Sequence, residues 1–245
     1  MSKFVDRLKQ VYQPLRDSMG FRPNKAENAR PRIQLAVFLS TGTAENMSAA
    51  DVVIVSRAKA AVEGSLWGIW LKRGDLAEVD KATEAGADFA VLPGTGAVLP
   101  ADRKIGKILQ LSPSITDVLL RTVNDLPVDA VLLAEDKENG ADITWQKLML
   151  FERFAAIVQK PVLVPVPSTA SAAELQLVWE TGVCGVLVEV KEPADAAALP
   201  ALRESIDSLQ FPSRKKKEKP TATLPHVTVA EESGEDEEPD EGDDD

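Results

Sequence analysis

Two glutamates stand where an apolar stretch of the chain gives way to a polar one. Glu135 and Glu189 each close an otherwise apolar run of strand length, and Arg57 and Lys72 end two earlier runs. Paired carboxylates above an apolar surface can coordinate a divalent cation or act as general acid and base. We therefore take these four as candidate catalytic residues, with the glutamates as candidate metal ligands. The alternative is that the glutamates only form ion pairs with Arg57, Lys72 or Lys137.

Histidine and cysteine chemistry is nearly excluded by composition. The one histidine, His226, lies in a polar C-terminal segment, which removes histidine-based triads and metal sites from the rest of the chain. The single cysteine, Cys184, excludes an internal disulfide and is interpreted as a buried apolar residue. Neither a glycine-rich nucleotide loop nor zinc-ligand spacing is present. Four tryptophans are interpreted as core residues and not as a stacking surface: Trp67, Trp70, Trp145 and Trp179.

The elements that must position these residues are eight apolar runs separated by helical patterns. Near-continuous apolarity indicates strands covered on both faces. The runs are 33–39, 52–56, 66–71, 89–92, 107–111, 130–134, 162–166 and 186–190, and the helix candidates are 76–85, 115–124, 144–159, 172–180 and 195–209. This alternation predicts an α/β fold, a (β/α)8 TIM barrel with some short outer helices. A doubly wound sheet is the alternative fold.

In a barrel, the carboxyl ends of all strands meet at one rim, where working residues lie. Glu135, Glu189, Arg57 and Lys72 would share that rim with other polar residues. These are Ser40, Thr41, Arg73, Thr95, Ser112, Ser114, Asp136, Lys137, Ser168, Thr169 and Lys191. The two glutamates are expected to converge over the mouth, with Arg57 and Lys72 opposite.

The N-terminal segment is predicted to be an extra helix outside the barrel. Phe4, Leu8, Val11, Leu15 and Met19 fall on one helical face, and Pro14 should kink the helix. An apolar helix of this kind would cover the amino-terminal end of the barrel. A helix lying on a membrane surface is disfavoured because its polar face mixes acidic and basic residues.

The net charge of −11 comes from the C-terminal tail. Eleven of the 39 acidic residues lie within 231–245, so the remaining acids equal the 28 Lys and Arg residues. No nucleic-acid partner is therefore expected. We divide the chain into 1–30, a helix and connection; 31–211, the barrel; and 212–245, a basic-then-acidic tail too poor in apolar residues to fold. The lack of a membrane-length apolar run or a signal sequence predicts a cytoplasmic protein without a membrane partner.

Residues 51–136 carry a family resemblance. DVVIVSRAK, KRGDLAEVDKATEAGADFAVLPG and KILQLSPSITDVLLRTVNDLPVDAVLLAED follow one another at residues 51–59, 72–94 and 107–136. In order and spacing they resemble the 2-keto-3-deoxy-6-phosphogluconate aldolase family. The resemblance implies an aldolase-type barrel whose family members work through a Schiff-base lysine on the sixth strand.

The departures from the family pattern concern its chemistry. In the register of the resemblance, Val131 takes the place of the lysine and Val53 that of the activating glutamate, and Glu135 is expected to share the inward parity of Val131. The phosphate-binding Gly-Gly after the seventh strand is also missing from VLVPVPST, residues 162–169. Lys137, a displaced candidate for the Schiff base, is flanked by acids and expected to be fully charged.

We therefore expect a degenerate, non-catalytic binding or scaffold barrel, a pseudoenzyme, without a cofactor. The alternative is a lyase-like or metal-dependent enzyme that uses the rim carboxylates on a small oxo-acid or phosphorylated substrate. Convergent carboxylates around an open mouth would favour the enzyme, whereas a mouth plugged by apolar side chains would favour the scaffold. The ligand, a protein partner and homo-oligomer formation are left open.

Overall fold

The computed structural model describes residues 2–12, 32–40, 47–57, 66–72, 76–96, 98, 104–135 and 142–210. The predicted tail, 212–245, lies outside the described residues, as do Thr41, Arg73, Asp136, Lys137 and His226. Among the described residues, no helix is both long enough and apolar enough to cross a membrane.

Eight parallel strands close into a barrel in which each strand pairs with the next and the last pairs with the first. The strands are β1 (Gln34–Leu39), β2 (Val52–Val55), β3 (Trp67–Trp70), β4 (Phe89–Pro93), β5 (Gly106–Leu111), β6 (Ala130–Leu133), β7 (Val162–Pro165) and β8 (Gly185–Val190). The pairing of β1 with β8 runs from Gln34 opposite Gly185 to Leu39 opposite Val190. The (β/α)8 barrel is thereby confirmed, and the doubly wound sheet is wrong.

In the part of the chain that the structure describes, six α-helices accompany the strands. They are α1 (Lys3–Tyr12), α2 (Leu76–Glu84), α3 (Asp117–Thr122), α4 (Trp145–Ile157), α5 (Ala172–Glu180) and α6 (Pro193–Ser208). The hydroxyls of Thr144 and Ser171 accept backbone N–H bonds at the starts of α4 and α5, which fixes where these helices begin. The six-residue α3 and the three-residue 3-10 helix Met47–Ala49 fit the expectation of short outer helices.

Side chains alternate between two apolar layers along each strand. The inward set packs around the barrel axis and includes Ala36, Val52, Ile54, Phe89, Val91, Ile108, Ala130, Leu132, Leu163 and Leu187. The outward set packs among the helices and includes Val53 and Val131. The expected inward parity of Val131 is therefore wrong, because Ala130 and Leu132 on either side of it face the axis. Val53 likewise faces outward, between the inward Val52 and Ile54.

Helix α1 covers the amino-terminal end of the barrel, as its spacing predicted. Phe4 and Leu8 are fully buried within the inward layer, and the ring of Phe4 lies 5.0 Å from that of Phe89. The Asp88 carboxylate accepts hydrogen bonds from the backbone N–H groups of Lys3 and Phe4, at 2.8 and 2.9 Å, and from the Ser2 hydroxyl, at 2.5 Å. An anion at a helix N-terminus satisfies otherwise unpaired donors. The predicted continuation past Pro14 lies outside the described residues.

One of the tryptophan interpretations is wrong. Trp67 and Trp179 are buried and Trp70 is partly buried, but Trp145 is 75% exposed. Trp145 is the first residue of α4, where a side chain can project past the barrel into solvent. Cys184 is buried, as expected.

Candidate functional site

A cavity of about 430 Å³ opens at the carboxyl ends of the strands. Its floor is formed by Phe38 and Trp70, whose rings lie 4.5 Å apart and pack against the inward layer. Apolar walls come from Leu133, Ala134, Leu150, Phe151, Pro165, Val166, Pro167 and Leu187, and polar groups from Gln110, Glu135, Lys147, Ser168, Thr169, Glu189, Lys191 and Asp195. The cavity thus combines a closed aromatic base with a charged rim.

The two candidate glutamates line this same cavity. Lys191 lies between the charges of the rim, with its Nζ 3.0 Å from Oε2 of Glu189. The hydrogen bond and charge of Glu189 raise the pKa of Lys191, and the charges of Glu135 and Asp195 add to this effect, whereas partial burial opposes it. Glu189 is therefore in direct contact with a cation.

The two candidate cations lie elsewhere. Arg57 and Lys72 are exposed, and neither lines the cavity. The expectation that they face the glutamates across the mouth is wrong, because Lys191, two residues after Glu189 on the same strand end, lies close enough to pair with it.

Several other rim residues do not enter the cavity. The hydroxyl of Ser40 donates to the carbonyl of Val190, at 3.2 Å, and the Ser112 and Ser114 hydroxyls bond each other, at 2.8 Å. These side chains organise the ends of their own strands. Of the polar rim residues named from the sequence, Ser168, Thr169 and Lys191 join the glutamates in the lining.

Asp195, in the first turn of α6, is held by three donors. Its Oδ1 accepts the Ser168 hydroxyl at 2.8 Å, and its Oδ2 accepts the backbone N–H groups of Lys191 and Glu192, each at 3.1 Å. Burial by itself raises the pKa of Asp195, but the bonds from Ser168, Glu192 and Lys191, with the charge of Lys191, outweigh it and lower the pKa. Asp195 is consequently a fixed negative charge at neutral pH.

The sequence analysis did not identify three polar residues that line the cavity: Gln110, Lys147 and Asp195. Gln110 has the inward parity of Ile108 and is the polar side chain among the inward positions of β5, a signal that strand alternation could have revealed. Lys147 is only 8% exposed although it lies in the first turn of α4. Lys147 and Asp195 come from helix starts, and the sequence does not indicate which helix start leans over the mouth.

The described residues contain no group of three or more His, Cys, Asp or Glu side chains arranged to hold a metal ion. Lysine is also missing from the inward positions of the described strands, because Lys107 of β5 neighbours the inward Ile108 and has the opposite parity. The arrangement offers hydrogen bonds and paired charges above an aromatic floor.

Comparisons with known proteins identify the fold alone. No protein-family model matches the chain, and no curated protein sequence matches it. It is similar to 3-hexulose-6-phosphate synthase from Salmonella typhimurium, with a TM-score of 0.57 and 12% identity over 73% of this chain and 100% of that one. A mutant tryptophan synthase alpha-subunit from Pyrococcus furiosus gives a TM-score of 0.50 and 14% identity over 73% and 98%.

A mandelate oxidase gives a TM-score of 0.49 and 14% identity, over 64% of this chain and 62% of that one. The chain therefore spans less than two thirds of the mandelate oxidase. The likenesses to the tryptophan synthase alpha-subunit and to 3-hexulose-6-phosphate synthase show the TIM-barrel fold.

Proposed function

We propose that the protein is a degenerate aldolase-type barrel, related to the 2-keto-3-deoxy-6-phosphogluconate aldolases, that binds a small molecule at its mouth without transforming it. The observation that carries the proposal is the cavity itself. It is large enough for a small metabolite, and its aromatic floor and few polar groups are typical of ligand sites.

The charges of the rim support binding over catalysis. A general acid or base needs a pKa near the working pH and access to the reacting atom. Glu189 is in contact with Lys191, and Asp195 is held ionised by three hydrogen bonds. A Schiff base in turn needs an amine with a lowered pKa, whereas the pKa of Lys191 is raised.

A blocked mouth tests the proposal. Thr169 is exposed and lines the cavity, whereas Thr95 is exposed at the end of β4 and does not. In a metabolite screen by thermal shift, a true ligand should raise the Tm of the wild type and of Thr95→Trp but not of Thr169→Trp. The ligand should be recovered unchanged after prolonged incubation.

Two outcomes would contradict the proposal. One is a ligand whose stabilising effect is the same in both tryptophan variants, since it would bind outside the mouth. The other is turnover of the ligand by the wild type that Thr169→Trp abolishes, since the mouth would then be an active site.

The second candidate is a lyase-like enzyme with a divalent metal. Glu135 and Glu189 line one open cavity, and convergent carboxylates at an open mouth are the arrangement expected from the sequence for an enzyme. If these carboxylates hold a metal, Mg²⁺ or Mn²⁺ should raise the Tm of the wild type, and both Glu135→Gln and Glu189→Gln should lose that rise. Glu78→Gln, an exposed substitution on α2, is the control. We expect no metal-dependent rise, because the ammonium of Lys191 already neutralises Glu189 and repels a second cation.

A further inference from the structure

We propose that Asp195 fills, from within the chain, the place at which barrels of this type bind a phosphate group, and that the mouth consequently takes a ligand without a phosphate. Phosphate sites in TIM barrels are commonly built from the loops after the seventh and eighth strands and a helix N-terminus. This inference rests on the proposed function, since it names the class of ligand that the same cavity accepts.

The three components of such a site converge on the Asp195 carboxylate. Ser168 follows β7, Lys191 follows β8, and Glu192 immediately precedes α6. Their donors are one hydroxyl and two backbone N–H groups, the kind that hold a phosphate at a helix N-terminus. The two oxygens of Asp195 thus stand in for two oxygens of a phosphate group.

Ordinary helix capping explains only part of this arrangement. A carboxylate in the first helical turn commonly accepts the N–H group just before the helix, as Asp195 does from Glu192. Ser168, however, belongs to the loop of another strand, 27 residues earlier, and both Ser168 and Asp195 line the cavity. The carboxylate therefore occupies the wall of the mouth and uses the donors of two loops.

Charge adds to the exclusion of phosphate. The carboxylate of Asp195 is ionised at neutral pH, and the carboxylates of Glu135 and Glu189 line the same cavity. A phosphate dianion entering here would meet these like charges and would find the donors of Ser168, Lys191 and Glu192 already engaged. Two lysines, Lys147 and Lys191, line the cavity against these three carboxylates, and Lys191 is paired with Glu189.

Removing the internal carboxylate should create a phosphate site. Thermal stability is measured in inorganic phosphate and in chloride of equal ionic strength, for the wild type, Asp195→Ala and Asp195→Asn. We expect a saturable, phosphate-dependent rise in Tm for Asp195→Ala. The wild type should show none, and neither should Asp195→Asn, whose amide still fills the space.

Two further variants sharpen the test. Adding Ser168→Ala to Asp195→Ala should weaken the new phosphate site by about tenfold, since it removes a hydrogen bond to a charged group. If Asp195→Ala does not fold, Asp195→Ser, which keeps a short capping hydroxyl but no charge, takes its place. A folded Asp195→Ala or Asp195→Ser protein that ignores phosphate would overturn the inference, as would saturable phosphate binding by the wild type that Thr169→Trp abolishes.

Failure of this inference can be told from failure of the proposed function. A phosphate ester that binds the wild-type mouth, and is lost in Thr169→Trp, would refute the role of Asp195 while leaving a small-molecule barrel. The opposite result is also possible to recognise. If Asp195→Ala binds phosphate but every ligand from the metabolite screen binds Thr169→Trp as well as the wild type, the inference about Asp195 stands and the proposed function fails.

Discussion

Lys191 sets the electrostatic character of the mouth. Its ammonium contacts Glu189 at 3.0 Å, and the charges of Glu135 and Asp195 help to raise its pKa. A lysine with a raised pKa is protonated at neutral pH and is a poor nucleophile. Among the described residues, Lys191 and Lys147 line the cavity with the carboxylates of Glu135, Glu189 and Asp195, so a ligand there is oriented through paired charges and hydrogen bonds.

Cys184 predicts a specific pH dependence of stability. The thiol is buried, and burial raises its pKa to about 12. In the unfolded chain the thiol ionises at about pH 8.5. The folded state therefore keeps its proton where the unfolded state loses it, so this contribution to stability is complete below about pH 8.5 and is lost as the pH rises toward 12.

The measurement is urea denaturation at pH 8 and pH 10. The free energy of unfolding should fall more steeply with pH in the wild type than in Cys184→Ala, which has no thiol to ionise. Cys184→Ala is expected to be less stable at both pH values because of the space that it leaves. Equal pH slopes in the two proteins would show that the thiol is not protected from ionisation.

The candidate residues were only partly predictable from the sequence. The prediction that Glu135, Glu189 and Lys191 lie at one rim is correct, because a polar residue after an apolar run marks where a strand leaves the core. The register of the family resemblance placed Val131 inward wrongly, since a run that is apolar on both faces does not reveal which face is inward. Asp195 was recognisable as part of a helix start, but its bond to Ser168 joins two loops that only the folded chain brings together.

At the scale of elements, helix α1 and strands β3 and β4 form one packed unit. Phe89 of β4 contacts Phe4 of α1 on one side and lies over Gly68 of β3 on the other. A side chain at position 68 would overlap the carbon atoms of the Phe89 ring. Gly68 is therefore required by packing, and the position of the Phe89 ring links the strand to the helix that covers the barrel.

Gly68→Ala should accordingly destabilise the protein by about 1–3 kcal/mol, the usual cost of overfilling a packed core. Phe89→Leu would remove the ring that the new methyl group meets. The double substitution should therefore cost less than the sum of the two single ones in equilibrium unfolding. Additive losses would mean that the alanine at position 68 is harmful for a reason other than the ring of Phe89.

Elements were the most predictable level of this structure. All eight strands fall within one or two residues of the apolar runs, because each run is short, nearly uniform and bounded by polar residues. The helices that begin at capping residues, such as Thr144 and Ser171, were similarly placed. How much of the apolar face of α1 is buried could not be predicted from its spacing, because only contacts with the barrel decide it.

At the scale of the whole molecule, eight strands interleaved with helices favoured a closed ring without showing which strands meet at its seam. Strand count and order suit both a barrel and an open sheet, and the pairing of β1 with β8 decides between them. A partly exposed ion-pair cluster joins α6 to the β1–β2 side of the ring. Arg203 of α6 donates to Asp51 at 2.9 Å and bonds Asp207, while Asp51, just before β2, also accepts the N–H group of Leu35 at 2.8 Å. Burial lowers the pKa of Arg203, but its bonds to Asp207 and Asp51 outweigh this and raise it.

The seam between β1 and β8 has a consequence for how the chain is made. Strand β1 begins at Gln34, and its second neighbour begins only at Gly185. A ribosome adding about 5–20 residues per second needs on the order of ten seconds to span that interval. Throughout it, the nascent chain carries an apolar strand with one unpaired edge, a template for pairing with other chains. Slow translation between β1 and β8 would prolong this exposure, so the yield of folded protein in a cell should depend on the speed of synthesis and on chaperones that shield the early strands.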